Sequence, residues 1–192
     1  MRLRPALPAL LLAAALAAGG CESREANALR TARPDQAAAE GEPRLDVAFY
    51  GKVSRKSGKR SGESRTFTVA DKARVYAFAD FANLEADRDY TVHLAWIRPD
   101  GREMFRRFAE FRITVADSGC GADIRWLDAV NLNDIEHEHQ AVAGPGVSLD
   151  STLNIDPDKG REPGEYRFRV YLDRRLVREE PFTILAGAPQ EG

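Results

Sequence analysis

The sequence predicts an all-β domain, an antiparallel β-sandwich of about seven to nine strands, and three observations support this fold class. Beyond Arg44, short runs of alternating apolar and polar residues are separated by Gly, Pro, Asp and Asn, which is typical of strands joined by turns. Pro99, Asp100 and Gly101 form a strong turn signal between two such runs. No long amphipathic helical pattern interrupts the series, so two stacked sheets are expected.

The first twenty residues differ from the rest of the chain. Arg2 and Arg4 precede a run rich in Ala and Leu over residues 6–18, and two glycines then stand directly before Cys21. This run is shorter than the roughly 20 apolar residues that a membrane-spanning helix needs. The pattern therefore predicts a secretion signal over residues 1–20 that is removed from the mature protein.

The end of this signal resembles the lipobox of a bacterial lipoprotein precursor, in which small residues precede a cysteine that is acylated on its sulfur. Ala18 stands where leucine is usual. The resemblance implies that Cys21 carries the lipid and anchors the protein to a membrane of the bacterial envelope. Because Glu22 rather than Asp follows, it implies the outer membrane, facing the periplasm or the cell surface. A plain cleaved signal, with Cys21 incidental, is the alternative.

Residues 21–43 are predicted to form a flexible, lipidated tether. They contain mainly Ala, Glu, Arg, Asn, Gln and Pro, and almost no large apolar side chain that could offset the entropy of ordering the segment. As a flexible coil, such a segment spans on the order of 25 Å. We expect the β domain over residues 44–186 and a disordered tail over residues 187–192.

The strands and loops of the domain follow from the alternation and the turn residues. Strands are predicted at residues 45–50, 65–69, 73–81, 90–97, 103–115, 124–130, 149–155, 166–172 and 176–185. The basic segment 52–65 is predicted to be a flexible loop, and the polar segment 131–148 mostly a long connection. Cys120 is predicted to lie in a turn. If Cys21 is acylated, Cys120 has no partner in the chain, so an inert thiol is expected.

Two sequence features narrow the type of sandwich. Trp96 continues an inward stripe of the fourth predicted strand, and Glu162, Gly164 and Tyr166 precede the inward residue Phe168. These features resemble the core tryptophan and the tyrosine corner of immunoglobulin-like domains. The resemblance implies an immunoglobulin-like β-sandwich with Trp96, Tyr166 and Phe168 in its core. The sequence departs from the family pattern in two ways: apolar residues stand at the usual disulfide positions, and the long interval between Trp96 and Tyr166 leaves room for extra strands or a protruding loop. A jelly roll or another sandwich is the alternative.

Charge suggests where partners bind. The formal net charge is −2, which gives no signature of nucleic-acid binding. Positive charge is concentrated in the segment 52–65, and the predicted binding loop consists of Lys52, Arg55, Lys56, Lys59 and Arg60. Such a loop could bind anionic headgroups or another envelope polyanion. The alternative is a solvated loop whose lysines prevent pairing at a sheet edge.

Many arginines in the predicted strands are interleaved with glutamates. We expect them to point outward and to form cross-strand pairs with these acids. They are Arg102, Arg106, Arg107, Arg112, Arg167, Arg169, Arg174, Arg175 and Arg178.

One segment concentrates residues that can bind a metal. His137 and His139 would share a face if the segment were extended, and Asp134 could complete a weakly binding structural site. A solvated polar loop is the alternative, since charged runs are mostly surface. No cofactor is predicted.

No catalytic motif was found. The sequence contains no Gly-x-Ser-x-Gly elbow, no His-Glu-x-x-His and no P-loop, and His93 is expected to be structural. We therefore predict a non-catalytic binding or assembly module for an envelope protein or a surface polysaccharide. The alternatives are a metal-dependent or carbohydrate-processing enzyme that uses His137 and His139, and a β-sandwich protease inhibitor.

Overall fold

The computed structural model describes residues 42–54, 56–117, 119–127 and 135–187. These residues contain no α-helix, and hence no helix long and apolar enough to cross a membrane. The predicted signal, most of the tether, Cys21, Arg55, Asp134 and the tail beyond Gly187 lie outside the described residues. The strands are β1 (Arg44–Val53), β2 (Arg60–Glu63), β3 (Thr66–Thr68), β4 (Arg74–Ala82), β5 (Asp89–Ile97), β6 (Glu103–Ala116), β7 (Gly119–Trp126), β8 (Glu136–Val142), β9 (Val147–Asn154), β10 (Gly164–Leu172) and β11 (Arg175–Leu185), with a 3₁₀ turn at Pro157–Lys159.

The strands form two sheets. A four-stranded sheet has the order β2-β1-β4-β9, and a seven-stranded sheet has the order β3-β11-β10-β5-β6-β7-β8. All pairs are antiparallel except β3 with β11, which run parallel. The chain changes sheet five times: into and out of β3, between β4 and β5, and into and out of β9. The crossings from β4 to β5 and from β9 to β10 match those of immunoglobulin-like domains. The predicted immunoglobulin-like β-sandwich is therefore confirmed, with more strands than the sequence indicated.

An aromatic cluster fills the space between the sheets. Trp96 and Phe168 are completely buried, with 4.8 Å between their ring centroids. Phe49 from the four-stranded sheet and Phe182 from β11 pack on the same indole. The indole Nε1 donates a 2.8 Å hydrogen bond to Oγ of buried Ser151. Each such side chain contributes about 1.5–3 kcal/mol through its burial, so this cluster holds the two sheets together.

Tyr166 forms a tyrosine corner. Its hydroxyl donates a 2.7 Å hydrogen bond to the carbonyl oxygen of Glu162, four residues upstream, and its ring is buried two residues before Phe168. Burial raises the pKa of the Tyr166 hydroxyl above its usual value. The hydroxyl therefore remains a hydrogen-bond donor at neutral pH and fixes the chain as it enters β10.

Two segments predicted as loops contain strands. β1 continues to Val53, and β2 returns beside it with Lys52 opposite Ser61, so the segment 52–65 is largely a hairpin. Within 131–148, β8 pairs with β7 and forms an edge of the seven-stranded sheet. β2 and β8 consist mostly of polar residues, and neither strand contains a buried side chain. Apolar alternation therefore could not reveal them.

Gln140 joins the edges of the two sheets. Its Nε2 donates a 2.8 Å hydrogen bond to the carbonyl oxygen of Ser148 on β9, and its Oε1 accepts a 3.2 Å hydrogen bond from the Ser148 amide. The side-chain amide thus reproduces the donor and acceptor of a neighbouring strand. This contact closes one side of the sandwich.

Cys120 differs from its prediction. It does not lie in a turn but on β7, where Cys120, Ala122 and Ile124 alternate inward, and only 6% of its surface is exposed. The structure does not hold its sulfur as a free thiol, contrary to the inert thiol expected from the sequence.

Two of the predicted cross-strand arginine–glutamate pairs are present on the outer face of the seven-stranded sheet, since Arg167 and Arg169 pair with Glu179. Arg106 pairs instead with Glu103 of its own strand, and Arg112 pairs with the aspartate Asp89. Two arginines predicted to point outward instead point toward the core.

Arg107 lies 3.7 Å above the Trp126 ring and donates to the Asp150 carbonyl oxygen, and Arg178 pairs with buried Glu180. Arg107 and Arg178 occupy inward positions because they stand opposite Leu94 and Val170 in the register.

Candidate binding surfaces

The start of the domain at Arg44 and the hairpin formed by β1 and β2 lie at opposite ends of the sandwich. The chain enters the domain at Arg44, and β1 then runs for 10 residues to Val53. At about 3.3 Å per residue, this strand spans roughly 30 Å. Antiparallel pairing places Ala82 of β4 beside Arg44 and brings Arg74 and Asn154 together at the other end. We call the end that carries residues 54 and 56–59, Arg74 and Asn154 the distal end.

Three lysines of the predicted binding loop are exposed near the distal end. They are Lys52 on β1 and Lys56 and Lys59 in the turn between β1 and β2. None of the three has an ion pair among the residues that the structure describes. Their charges are therefore available to an external partner.

Arg60, predicted as part of the same loop, is instead held within the domain. Its Nη1 donates a 2.7 Å hydrogen bond to Oδ2 of Asp80, and its Nη2 donates a 2.5 Å hydrogen bond to Oγ of Ser148. The guanidinium lies 3.6 Å from the centroid of the Phe78 ring, which packs on the outer face of the four-stranded sheet. Arg60 thus covers an aromatic ring that would otherwise face water.

We expect Arg60→Gln to lower the free energy of unfolding by about 1–3 kcal/mol, because it removes the ion pair with Asp80 and the cation–π contact with Phe78. Lys59→Gln, one residue earlier, is the matched control and should change it by less than about 0.5 kcal/mol. Urea denaturation followed by tryptophan fluorescence measures both. Equal effects would show that Arg60 has no special structural role.

A hollow opens beside the hairpin at the distal end. Its volume is about 530 Å³. Gly51 occupies an inward-facing position of β1 beside the ring of Phe67. Because it has no side chain, this space stays open. The lining consists of Gly51, Lys52, Val53, Phe67, Thr68, Asp71, Lys72, Ala73, Arg74, Tyr76 and Ile155. It therefore combines three cations, one carboxylate, two aromatic rings and an aliphatic wall.

The one carboxylate in this lining neutralises little of the positive charge. Asp71 approaches Lys72 at 3.8 Å, but both side chains are more than 80% exposed. Exposed pairs of this kind contribute at most about 1 kcal/mol. Lys52 and Arg74 have no ion pair within the described ranges. The hollow therefore presents positive charge to solvent.

The histidines predicted as metal ligands lie on edge strand β8. His137 and His139 share the outer face of this strand, and Nδ1 of His139 lies 2.7 Å from Oδ1 of Asp123 on β7. His137 stands opposite Arg125 instead of a carboxylate. In the part of the chain that the structure describes, no three His, Cys, Asp or Glu side chains are grouped to hold a metal.

His139 and Asp123 are brought together by the pairing of β7 with β8, which the sequence did not reveal. Gly121 makes room for the imidazole, since a Cβ there would lie 2.8 Å from Cε1 of His139. Only the register could have identified Asp123 as the partner, and β8 was not predicted as a strand.

A carboxylate of unusual pKa lies where β9 meets β8. Burial raises the pKa of Asp150, and the charges of Glu138 and Glu136 raise it further, while Arg107 acts in the opposite direction. Glu138 accepts a 3.3 Å hydrogen bond from Nε1 of Trp126. Arg107 donates to the backbone carbonyl oxygen of Asp150 and lies over the Trp126 ring, so these contacts connect the two sheets and indicate a structural role.

The remaining histidine packs against its neighbours on the outer face of the seven-stranded sheet. His93 lies with its ring centroid 4.4 Å from that of Phe108, and burial, assisted by Arg106 and Arg174, lowers its pKa. It therefore remains neutral at pH 7 and acts as a surface aromatic residue.

Neither a family model nor a curated protein matches the sequence. Among solved structures, an immunoglobulin-like protein from Pseudomonas aeruginosa is similar over 77% of this chain and 100% of its own, with 13% identity and a TM-score of 0.39. A family 123 glycoside hydrolase from Clostridium perfringens is similar over 74% of this chain, with 10% identity and a TM-score of 0.30. The chain covers 26% of that hydrolase. Neither similarity assigns a function, and the fold class stands on the strand order and the tyrosine corner.

Proposed function

We propose that this protein is a lipoprotein of the bacterial envelope, anchored through acylated Cys21. Its immunoglobulin-like domain is a non-catalytic binding or assembly module for an envelope protein or a surface polymer. The proposal is supported by the placement of charge relative to the tether. The chain enters the domain at Arg44, whereas exposed Lys52, Lys56 and Lys59 lie about 30 Å away, at or near the distal end.

This arrangement favours a partner away from the anchoring membrane. Charges in physiological salt are screened over about 8 Å, so cations some 30 Å from the tether attachment interact little with headgroups at that end. A domain extended from its tether would instead present the basic hairpin to the surrounding envelope space. Loops and strand ends on a rigid sandwich are common places for recognition.

Metabolic labelling with palmitate tests the anchor. We expect label on the exported protein, loss of that label in Cys21→Ser, and full retention in Cys120→Ser, which is the matched control for removing a cysteine. Intact-mass measurement gives a second readout, because an acylated Cys21 sulfur cannot form a disulfide. An unlabelled protein whose two cysteines are joined to each other would contradict the lipoprotein assignment.

Crosslinking from the native envelope tests the binding role. We expect the acylated protein to crosslink to an envelope protein or polymer through the distal end, and Lys56→Glu combined with Lys59→Glu to reduce the yield at least fivefold. The matched control reverses two charges at the tether end, Arg44→Glu with Arg175→Glu, and should leave the yield unchanged. Equal losses in the two variants would contradict recognition through the distal end.

A further inference from the structure

We propose that the hollow at the distal end binds an anionic saccharide, meaning a sugar unit that carries a carboxylate or phosphate group. The inference rests on the proposed function in one respect: the predicted membrane anchor makes the hollow face away from the membrane. Its chemical basis lies in the charge, the walls and the size of the hollow.

The charge of the hollow favours an anion. Lys52 and Arg74 lie on the same outer face of the four-stranded sheet, next to the paired residues Tyr50 and Tyr76. Lys72 adds a third cation from the loop before β4. Elsewhere most arginines on the strands are engaged by carboxylates, whereas Lys52 and Arg74 have no such partner among the described residues. An anionic group in the hollow would supply one.

The walls suit a sugar ring. The half-buried ring of Tyr76 and the exposed edge of Phe67 provide apolar surface, and the hydroxyls of Thr68 and Tyr76 can exchange hydrogen bonds with a ligand. A sugar ring has apolar C–H faces and a rim of hydroxyls, so it matches both kinds of surface. Small-molecule sites commonly use a few polar groups to orient a ligand beside apolar surface.

The size of the hollow argues against a bare anion. About 530 Å³ lies within the range of roughly 300–1,000 Å³ that is usual for small-molecule sites. An inorganic phosphate would leave most of this space empty. A lipid headgroup of the anchoring membrane is disfavoured, because the hollow lies at the end away from the tether attachment.

Binding of fluorescent oligogalacturonate to the full chain carrying Cys21→Ser tests the site. We expect saturable binding that weakens as salt rises, at least tenfold weaker binding by the uncharged methyl-esterified oligomer, and at least tenfold weaker binding in Lys52→Gln with Arg74→Gln. The control pair Arg44→Gln with Arg175→Gln removes the same charge at the tether end and should change the Kd less than twofold. Equal effects of the two pairs would mean unspecific attraction and would overturn the proposal.

A second variant tests the cavity itself without altering charge. In Gly51→Leu the added side chain would reach toward Phe67 and occupy the hollow, since a Cβ at this position lies 4.0 Å from Cε1 of Phe67. We expect at least tenfold weaker binding with the melting temperature retained. A folded variant that binds as tightly as the parent would overturn the proposal.

Two further binding measurements distinguish a saccharide from a lipid headgroup as the source of the anion. They also test the saccharide site independently of the lipid anchor. A phosphorylated oligosaccharide should compete with oligogalacturonate, whereas tighter binding to phosphatidylglycerol vesicles than to either saccharide would overturn the saccharide assignment. Because these assays use Cys21→Ser, their outcome is independent of palmitate labelling. If the protein binds saccharide but carries no palmitate, only the lipoprotein assignment is contradicted. If it carries palmitate but binds no saccharide, only the proposed saccharide site is contradicted.

Discussion

Replacing Trp96 with alanine is expected to lower the free energy of unfolding by about 3–5 kcal/mol, the largest effect of any single substitution considered for this protein. The indole is completely buried, contacts aromatic rings from both sheets, and donates to Ser151. Its removal leaves a cavity at the interface of the sheets and a buried hydroxyl without its donor. Urea denaturation of the full chain, followed by far-UV circular dichroism, measures the loss.

Phe105→Ala is the matched control for this substitution. Phe105 stands opposite Trp96 in the register of β5 and β6, but 38% of its surface is exposed. Its truncation should therefore lower the free energy of unfolding by less than about 1 kcal/mol. Similar losses in the two variants would show that the aromatic cluster does not dominate the stability of the sandwich.

Glu180→Gln is expected to lower the free energy of unfolding by about 2–4 kcal/mol. The carboxylate is 7% exposed and lies 2.6 Å from Nη2 of Arg65 and 2.6 Å from Nη2 of Arg178. Glutamine keeps the shape but leaves two neighbouring guanidinium groups without their shared counter-charge, and breaking a buried ion pair in this way is costly.

The adjacent residue offers the control for Glu180. Glu179 points to the opposite face of β11 and pairs with Arg167 and Arg169 at a surface where it is 32% exposed. Because exposed pairs contribute at most about 1 kcal/mol, Glu179→Gln should lower the free energy of unfolding by no more than that. If Glu179→Gln lowered the free energy of unfolding more than Glu180→Gln, the prediction that the buried Glu180 carboxylate stabilises the domain would be wrong. Chemical denaturation at 0.15 M salt makes the comparison.

The sequence predicted the fold where strands bury a regular apolar stripe. β5 and β10 follow the alternation of Val92, Leu94 and Trp96 and of Tyr166, Phe168 and Val170, and all these residues are buried. β2 and β8 were missed because they lie at sheet edges and are held by backbone pairing instead of apolar burial. Hydrophobic periodicity contains no information about such strands.

The candidate site was predictable only in part. Clustered lysines identified the basic hairpin, since local composition is enough to show concentrated charge. The engagement of Arg60 by Asp80 and Ser148 depends on contacts 20 and 88 residues apart in the chain. The hollow likewise needs Gly51, Arg74 and Ile155, which meet only after β1, β4 and the end of β9 assemble. Such long-range register is not encoded in local patterns.

The side-chain amide of Gln140 protects an edge of the four-stranded sheet from pairing with another copy of this protein. An unprotected strand at the border of a sheet invites a second molecule to add its own strand, and this is a common route to aggregation. Here the exposed backbone of Ser148 is already satisfied by a side chain, and Arg107 occupies the carbonyl oxygen of Asp150 further along the same strand. Wherever many copies are concentrated on one surface, these contacts would oppose strand addition at the β9 edge.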